Sequence, residues 1–242
     1  RAWRKVLALD PADHGGASVR LAALGHGATP ERAPDAYVRT LFDQQAERFD
    51  EVLVERLGYR VPWVMRRMLE RHAPGPYRRL LDLGCGTGLV GEAFSGLAEH
   101  VTGVDLSEGM LDRAFDRGVY DDLYVGDVLG FLATEDEEEA PPWDLVAAAD
   151  MLPYLGPVAP LFAGVAALAA AGAVFLFSTE ALAEPASVPY AVGPGQRFAH
   201  APAHLRAALD DAGFALLAAE DIVVRYEEGV PVPGELVLAR LT

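Results

Sequence analysis

Cysteine is almost absent from this chain, positive charge is scarce, and no long uninterrupted apolar run occurs. Each shortage excludes something. The one cysteine, Cys85, rules out an internal disulfide and any multi-cysteine metal site, and it fits a reducing compartment. No metal is expected. Lysine and arginine total 20 against 36 aspartates and glutamates, a net charge of −16. Phosphate backbones need a basic surface, so no nucleic-acid partner is expected. The densest basic cluster, Arg66, Arg67, Arg71, Arg78 and Arg79, reads as a solvated helix face and loop. A membrane span needs about 18 or more apolar residues without a charge or breaker. The richest stretch, Val158 to Phe177, is broken by Pro160, Gly164 and Gly172, and reads as a buried helix followed by a buried strand. Arg1 to Asp10 is charged and amphipathic, without the apolar centre of a signal peptide. These readings together give a cytoplasmic protein with no membrane partner.

What is present is a core. Half of the 242 residues (51%) are hydrophobic, enough for one large α/β domain plus a modest extension. Residues 1–26 read as two short helices, Arg1 to Leu9 and about Gly16 to Leu24, separated by Asp10-Pro11. Ala28 to Pro34 is a linker. Asp35 to Leu57 carries apolar residues at helical spacing, among them Tyr37, Val38, Leu41, Phe42, Phe49, Val52 and Leu53. Gly58 is a stop, and Pro62 opens a further helix to about His72. After Pro74-Gly75-Pro76 the rhythm changes to alternating strands and helices. Strands are expected at Leu80–Leu83, Val101–Val104, Asp122–Val125, Asp144–Ala148 and Ala173–Ser178, with helices at about 87–97, 108–117, 128–133, 157–170 and 202–212. Such alternation implies a parallel sheet covered on both faces. Phe214–Arg225 and Glu235–Leu241 read as an antiparallel terminal hairpin turning through Glu227–Gly234. Thr134–Glu139 reads as a solvated acidic loop.

The strongest local signal is Leu80-Leu81-Asp82-Leu83-Gly84-Cys85-Gly86-Thr87-Gly88-Leu89. A buried strand ends in a glycine-rich turn that opens a helix. Glycine permits positive φ and close approach of a ligand to the main chain, and the helix start offers free N–H groups. Gly86-Thr87-Gly88-Leu89-Val90-Gly91 also matches the dinucleotide fingerprint, with Asp105 following. The register argues against a dinucleotide: Gly84 already holds the place directly after the strand.

The segment Asp82-Leu83-Gly84-Cys85-Gly86-Thr87-Gly88 resembles motif I of class I S-adenosylmethionine-dependent methyltransferases. Val101 to Leu111 resembles that family's second strand and following helix, Gly126-Asp127-Val128 its third-strand end, and Trp143 to Asp150 its fourth strand. The resemblance implies an α/β fold: a Rossmann-like sheet, mostly parallel, with an antiparallel C-terminal hairpin and an N-terminal helical extension. It implies S-adenosyl-L-methionine as cofactor and methyl transfer as activity. Asp82, Gly84, Cys85, Gly86 and Gly88 would form the turn beside the methionyl part. Asp105 would accept from both ribose hydroxyls, Leu106 and Met110 would flank adenine, and Asp127 would accept from the adenine amino group beside the Val128 backbone. Other roles stay open: Asp105 as a helix cap near Ser107, Met110 as helix core, Asp127 as the N-cap before Val128, Cys85 as a small neutral turn residue.

Ala36 to Asp50, Val54 to Pro62 and Gly195 to His200 resemble a subgroup of bacterial predicted methyltransferases that carry tetratricopeptide repeats. Trp3, Val6 and Pro11 stand where such repeats place packing and closing residues, and a partial repeat fits as well as an ordinary capping helix. The expected division is a repeat-like segment over 1–30, a helical cap over 31–75 and the cofactor-binding domain over 76–242. No Asn/Asp-Pro-Pro-aromatic tetrapeptide follows the fourth strand, where the chain reads Asp150-Met151-Leu152-Pro153-Tyr154; this disfavours nucleobase amino groups as acceptors. A small-molecule acceptor is expected, polar or anionic, with the N-terminal segment as the place for a protein partner. A protein side chain as acceptor, or a binding scaffold on the same fold, are the alternatives. Acceptor-side candidates lie beyond the carboxyl ends of the strands: Asp150, Tyr154, Glu180, Tyr190, Arg197 and His200. Arg197 is the candidate for holding an anion, and His200 the candidate base, a surface or capping histidine being the other reading.

Overall fold

The computed structural model describes residues 2–134, 141–183 and 186–242; most of the expected acidic loop, from Glu135 on, lies outside them. Four helices lead: α1 (Ala2–Leu9), α2 (Ala17–Ala23), α3 (Asp35–Gln45) and α4 (Val61–His72). Asp13 fixes the start of α2, its carboxylate accepting from the amides of Ala17 and Ser18. Val19 of α2 is fully buried with Ala33, Tyr37 and Phe198, so the first helices pack onto the body of the fold. The expected helical stretch over 35–57 is divided: α3 gives way to a 3-10 turn, Ala46–Arg48, and then to a π-helical turn, Glu51–Arg56.

The sheet begins with β1 (Tyr77–Leu83), β2 (Ala98–Asp105), β3 (Asp122–Val125), β4 (Trp143–Ala148) and β5 (Ala169–Ala181). Their order is 3-2-1-4-5 and every pairing among them is parallel. The second half of β1 is buried on both faces, Leu80, Leu81, Asp82 and Leu83 all being fully buried, as in a strand covered on both sides. Crossovers run through α5 (Leu89–Ala93), α6 (Glu108–Arg117), α7 (Val128–Ala133) and α8 (Ala159–Leu168). Caps set several bounds. Ser107 Oγ accepts from the Met110 amide at the start of α6, Gly118 ends it in the left-handed region, and Asp127 caps α7 through the Gly130 amide. One core packs Phe162, Phe175 and Phe177, with ring centroids 4.9–5.6 Å apart. The other, under α4, packs Met65, Met68, Leu69 and Phe94.

Beyond β5 the sheet divides, and here it departs from expectation. The region expected to be a connection over 181–202 contains a hairpin, β6 (Tyr190–Val192) and β7 (Phe198–His200), and β7 runs parallel to the end of β5 at Glu180 and Ala181. After α9 (Pro202–Asp211) comes the terminal hairpin, β8 (Phe214–Glu227) and β9 (Val230–Leu241), with β9 antiparallel to β5. Its turn is only Glu228-Gly229, both at positive φ (51° and 81°), the geometry that suits a two-residue hairpin. The hairpin is longer than the sequence suggests because Pro231 and Pro233 are accommodated where β9 has only β8 beside it, its pairing with β5 starting at Gly234.

At Gly234 the strands leave no room. A β-carbon there would meet Val224 Cγ2 at 2.3 Å and the Thr179 carbonyl oxygen at 2.5 Å. Gly234→Ala is therefore expected to destabilise the protein by about 1–3 kcal/mol through overpacking, read as a lowered urea midpoint by circular dichroism. An unchanged midpoint would contradict the close approach of β5, β8 and β9.

Candidate cofactor and acceptor site

The turn after β1 is built around three glycines at positive φ: Gly84 (72°), Gly86 (54°) and Gly88 (90°). The amides of Gly84 and Cys85 both donate to the Val104 carbonyl, which binds the turn to β2. The next residue of β2, Asp105, is buried; its Oδ2 accepts from the Gly86 amide and its Oδ1 from the Ser107 amide, each at 2.9 Å. Burial pushes its carboxyl above the ordinary value, against those backbone donors. A carboxylate offers about four lone-pair positions, so two donors leave acceptor capacity. At Gly86 a β-carbon would meet nothing within 4 Å, so the main chain there faces open space.

That space is a cavity of about 370 Å³. The strand ends supply Gly84, Cys85, Gly86, Asp105, Leu106, Asp127 and Val128 to its floor. The N-terminal helices supply the roof through Tyr37, Phe42, Phe49 and Leu53. Phe42 packs edge-on against both Phe49 (5.8 Å) and Tyr154 (5.4 Å). Two aspartates fasten this roof along α6. Asp43 Oδ1 accepts from the Ser107 hydroxyl at 2.5 Å, where Gly109 lets Ala46 approach. Asp50 accepts from the Thr87 hydroxyl at 2.5 Å and pairs with Arg117, whose Nε donates to the Thr87 carbonyl. At the far end Arg32 Nη1 donates to Asp127 at 2.9 Å.

On the other side of the cavity, Asp150 follows β4 with φ 54°, and its amide donates to Ser178 Oγ. Tyr154 lies one turn on, its hydroxyl 3.4 Å from Arg197 Nε. Arg197 Nη1 donates to Glu227 Oε1 at 2.9 Å. Arg225, on β8, is 1% exposed; it pairs with Glu180, donates to Glu227 through Nε at 2.9 Å, and places Nη1 3.6 Å from Asp150 Oδ2. Burial raises the Asp150 carboxyl, opposed by Arg225 and Arg197.

Residues 81–175 match the family described as methyltransferase domain. The chain is 32% identical over 111 residues to the ubiquinone biosynthesis O-methyltransferase of Hahella chejuensis, covering 46% of this chain and 47% of that protein. It is 45% identical over 49 residues, 20% of this chain and 17% of the other, to the 18S rRNA (guanine-N(7))-methyltransferase of Bos taurus. The chain thus spans about half the length, or less, of the curated relatives it matches. Among solved structures, an S-adenosylmethionine-dependent methyltransferase from Mesorhizobium loti superposes with TM-score 0.54 at 27% identity, covering 73% of this chain and 95% of that one. The fold is that of the class I S-adenosylmethionine-dependent methyltransferases. S-adenosylmethionine is the cofactor of this fold, and the open cradle at Gly86 beside a buried carboxylate with acceptor capacity fits it.

Of the residues that motif resemblance assigns to the cofactor, seven border the cavity and three stand behind it. Asp82 is fully buried and accepts from the Tyr120 hydroxyl at 2.7 Å, with its carboxyl pushed up to about 7 by burial. Gly88 faces α6: a β-carbon there would meet Arg117 and Tyr120 at 3.0 Å and Ala114 at 3.3 Å. Met110 is fully buried on α6. Asp127 is an N-cap and an ion-pair partner as well as a lining residue. Cys85 has its thiol pushed well up by burial and by Asp82 and Asp105, which suits the small turn residue. The basic cluster is spread out and largely paired, Arg66 with Glu70, Arg71 with Glu220, and Arg79 over Trp143. No group of acidic, histidine or cysteine residues suited to a metal occurs among the described residues.

On the acceptor side the structure corrects several expectations. Asp150, Tyr154 and Arg197 line the cavity; Tyr190, His200 and Glu180 do not. Tyr190 packs on Phe198 and His200. His200 is neither a base at the cavity nor a surface residue. It is fully buried, its Nε2 donating to the Gly156 carbonyl at 3.0 Å and its Nδ1 2.8 Å from the Thr179 hydroxyl, and burial lowers its pKa to about 4. Arg197 is not a free anion clamp, since Glu227 already occupies it. Sequence reasoning missed Arg225, Asp43, Asp50, Tyr59 and Arg32. Only Arg225 left a visible trace, as a charge inside the apolar strand Ile222-Val223-Val224-Arg225.

Two outcomes follow from these contacts. Unfolded, His200 titrates near 6.5; folded, near 4. Its contribution to stability is complete above 6.5 and is lost as pH falls through that window, because the unfolded chain takes up the proton first. Wild type should lose on the order of 3 kcal/mol more than His200→Gln between pH 6.5 and 4, measured by urea unfolding; parallel curves would refute a neutral buried imidazole. Asp50→Asn should loosen the roof at Thr87 and Arg117 and speed S-adenosylhomocysteine release by roughly tenfold, the loss of one charge-assisted hydrogen bond, in stopped-flow fluorescence. An unaltered release rate would show that the roof opens elsewhere.

Proposed function

We propose that the protein is an S-adenosylmethionine-dependent methyltransferase (EC 2.1.1.-) acting on a small molecule. The observation that carries this reading is the Gly84–Gly88 turn held by the Asp105 carboxylate at the floor of the cavity. The cofactor supplies a methyl group activated on a sulfonium. In this assignment the turn takes the methionyl part, Asp105 accepts from the ribose hydroxyls, and Leu106, Asp127 and Val128 border adenine, with Asp127 oriented by Arg32. The chain's main contribution to rate is alignment of nucleophile, methyl and sulfur. The aromatic roof favours a cationic sulfonium.

A small acceptor is supported by the position of the cavity beneath α3 and by the net charge of −16, which disfavours a phosphate backbone. We place the cofactor domain at 76–242, the helical roof at 31–75 and the repeat-like piece at 1–30. The α1–α2 pair is the element that supports kinship with methyltransferases carrying tetratricopeptide repeats, and it is where a protein partner would dock. The single buried cysteine suits a reducing, cytoplasmic setting. Among the described residues no helix is long and apolar enough to cross a membrane.

The test is calorimetry with S-adenosylhomocysteine and NAD. Wild type should bind the first and not the second. Asp105→Ala should weaken that binding by roughly 10- to 100-fold, as expected for hydrogen bonds to a charged group worth about 1.5–3 kcal/mol each. Equal affinities in wild type and variant would remove Asp105 from the site.

A further inference from the structure

The acceptor side of the cavity holds a group of charges that does not balance. Three carboxylates, Asp150, Glu180 and Glu227, face two guanidiniums, Arg197 and Arg225. The pairing is unequal. Arg197 is taken by Glu227, and Arg225 by Glu180 and Glu227. Asp150 is left with one distant contact, 3.6 Å to Arg225 Nη1. Asp150 Oδ1 and Arg225 Nη1 are both buried without a hydrogen-bond partner, although Arg225 is 1% exposed. Buried polar groups are nearly always satisfied, so such a pair calls for a cause. Asp150 also sits in the left-handed region, a conformation that costs a side chain energy. Of these two, Asp150 borders the cavity, as do Tyr59 and Tyr154.

This arrangement discriminates between acceptor classes. A carboxylate or phosphate would meet the surplus negative charge of Asp150, with both arginines already engaged. A neutral hydroxyl meets complementary groups: a carboxylate to receive its proton, and phenolic O–H donors to stabilise an oxygen becoming negative. We infer that the acceptor is an uncharged hydroxyl compound and that Asp150 is its general base, backed by Arg225, with Tyr59 and Tyr154 steadying the oxygen. This rests on the methyltransferase reading. In the step, the acceptor O–H bond breaks and its proton passes to Asp150. The oxygen forms its new bond to the methyl carbon, and the electron pair of the C–S bond stays on sulfur. Desolvation raises the carboxyl of Asp150, opposed by Arg225 and Arg197, which makes it a stronger base than a solvated aspartate.

The test compares wild type with Asp150→Asn, a substitution that keeps shape and tolerates the left-handed backbone. S-adenosylhomocysteine affinity by calorimetry should be unchanged in the variant, which also shows that it folds. Both proteins are then given methyl-labelled cofactor with alcohols and phenols matched to their amine and carboxylate counterparts, and products are identified by mass. Wild type should form methyl ethers, and Asp150→Asn should lower that rate by about 10²–10⁴-fold, the usual share of general-base catalysis. Esters or methylamines in place of ethers, no ether from any hydroxyl compound, or equal rates in the two proteins would overturn the inference. Failure of wild type to bind S-adenosylhomocysteine would instead bring down the methyltransferase reading, and the inference with it.

Discussion

The carboxylate of Asp105 holds two parts of the chain in place at once. It ends β2, and it accepts the Gly86 amide from the turn that ends β1 and the Ser107 amide that begins α6. A turn with three positive-φ glycines is entropically expensive to order. Hydrogen bonds to an ionised group are the strong kind, and here they offset that cost at the point where the main chain must stay open to a ligand. The register of β1 on β2, Leu83 opposite Val104, brings the carboxylate level with the turn. With strand order 3-2-1-4-5 the connections leave β1 in opposite directions, which opens a crevice beyond the strand ends. The cavity lies there, and every other part of the site is placed relative to it.

The acidity of the chain has specific uses in the fold. Asp43 and Asp50 tie the roof to the start of α6 and to Thr87. Asp127 joins the far end to Arg32, and backbone bonds from Ala33 to Tyr154 and from Gly156 to Glu31 carry the same linker across to the acceptor side. Asp150 carries the unbalanced charge. Each aspartate sits at the end of a strand or on the roof, and the aromatic residues fill the space between.

What could be read from sequence was local. The bounds of β3, α6 and α7 were legible because caps and a left-handed glycine fix them within a few residues: Ser107, Gly118 and Asp127. The glycine turn was legible because its chemistry is contiguous. The β6–β7 hairpin was not, since strands of three residues carry no measurable period and their register is set by β5. The stretch over 35–57 has helical spacing throughout, yet its second half is a 3-10 turn and a π-helical turn, with Asp43 and Asp50 bound to different elements. Propensity yields to tertiary anchoring there. The roles of His200 and Arg197 were illegible for the same reason. Their partners, Gly156 and Glu227, are 44 and 30 residues away, and only the folded sheet brings them together.

Phe42 links the two halves of the site. It is one residue from Asp43 on α3, and its ring contacts Phe49 within the roof and Tyr154 beyond β4. Tyr154 in turn meets Arg197, which leans on Glu227 and so on Arg225. A movement of α3 that lifts the roof from the cofactor half therefore withdraws the packing surface under which Tyr154 is held. The converse also follows: seating α3 through Asp43, and the turn after it through Asp50, fixes Phe42 and Phe49 against Tyr154. Core packing transmits such displacements because it has few compressible gaps. One helix thus borders both halves of the cavity.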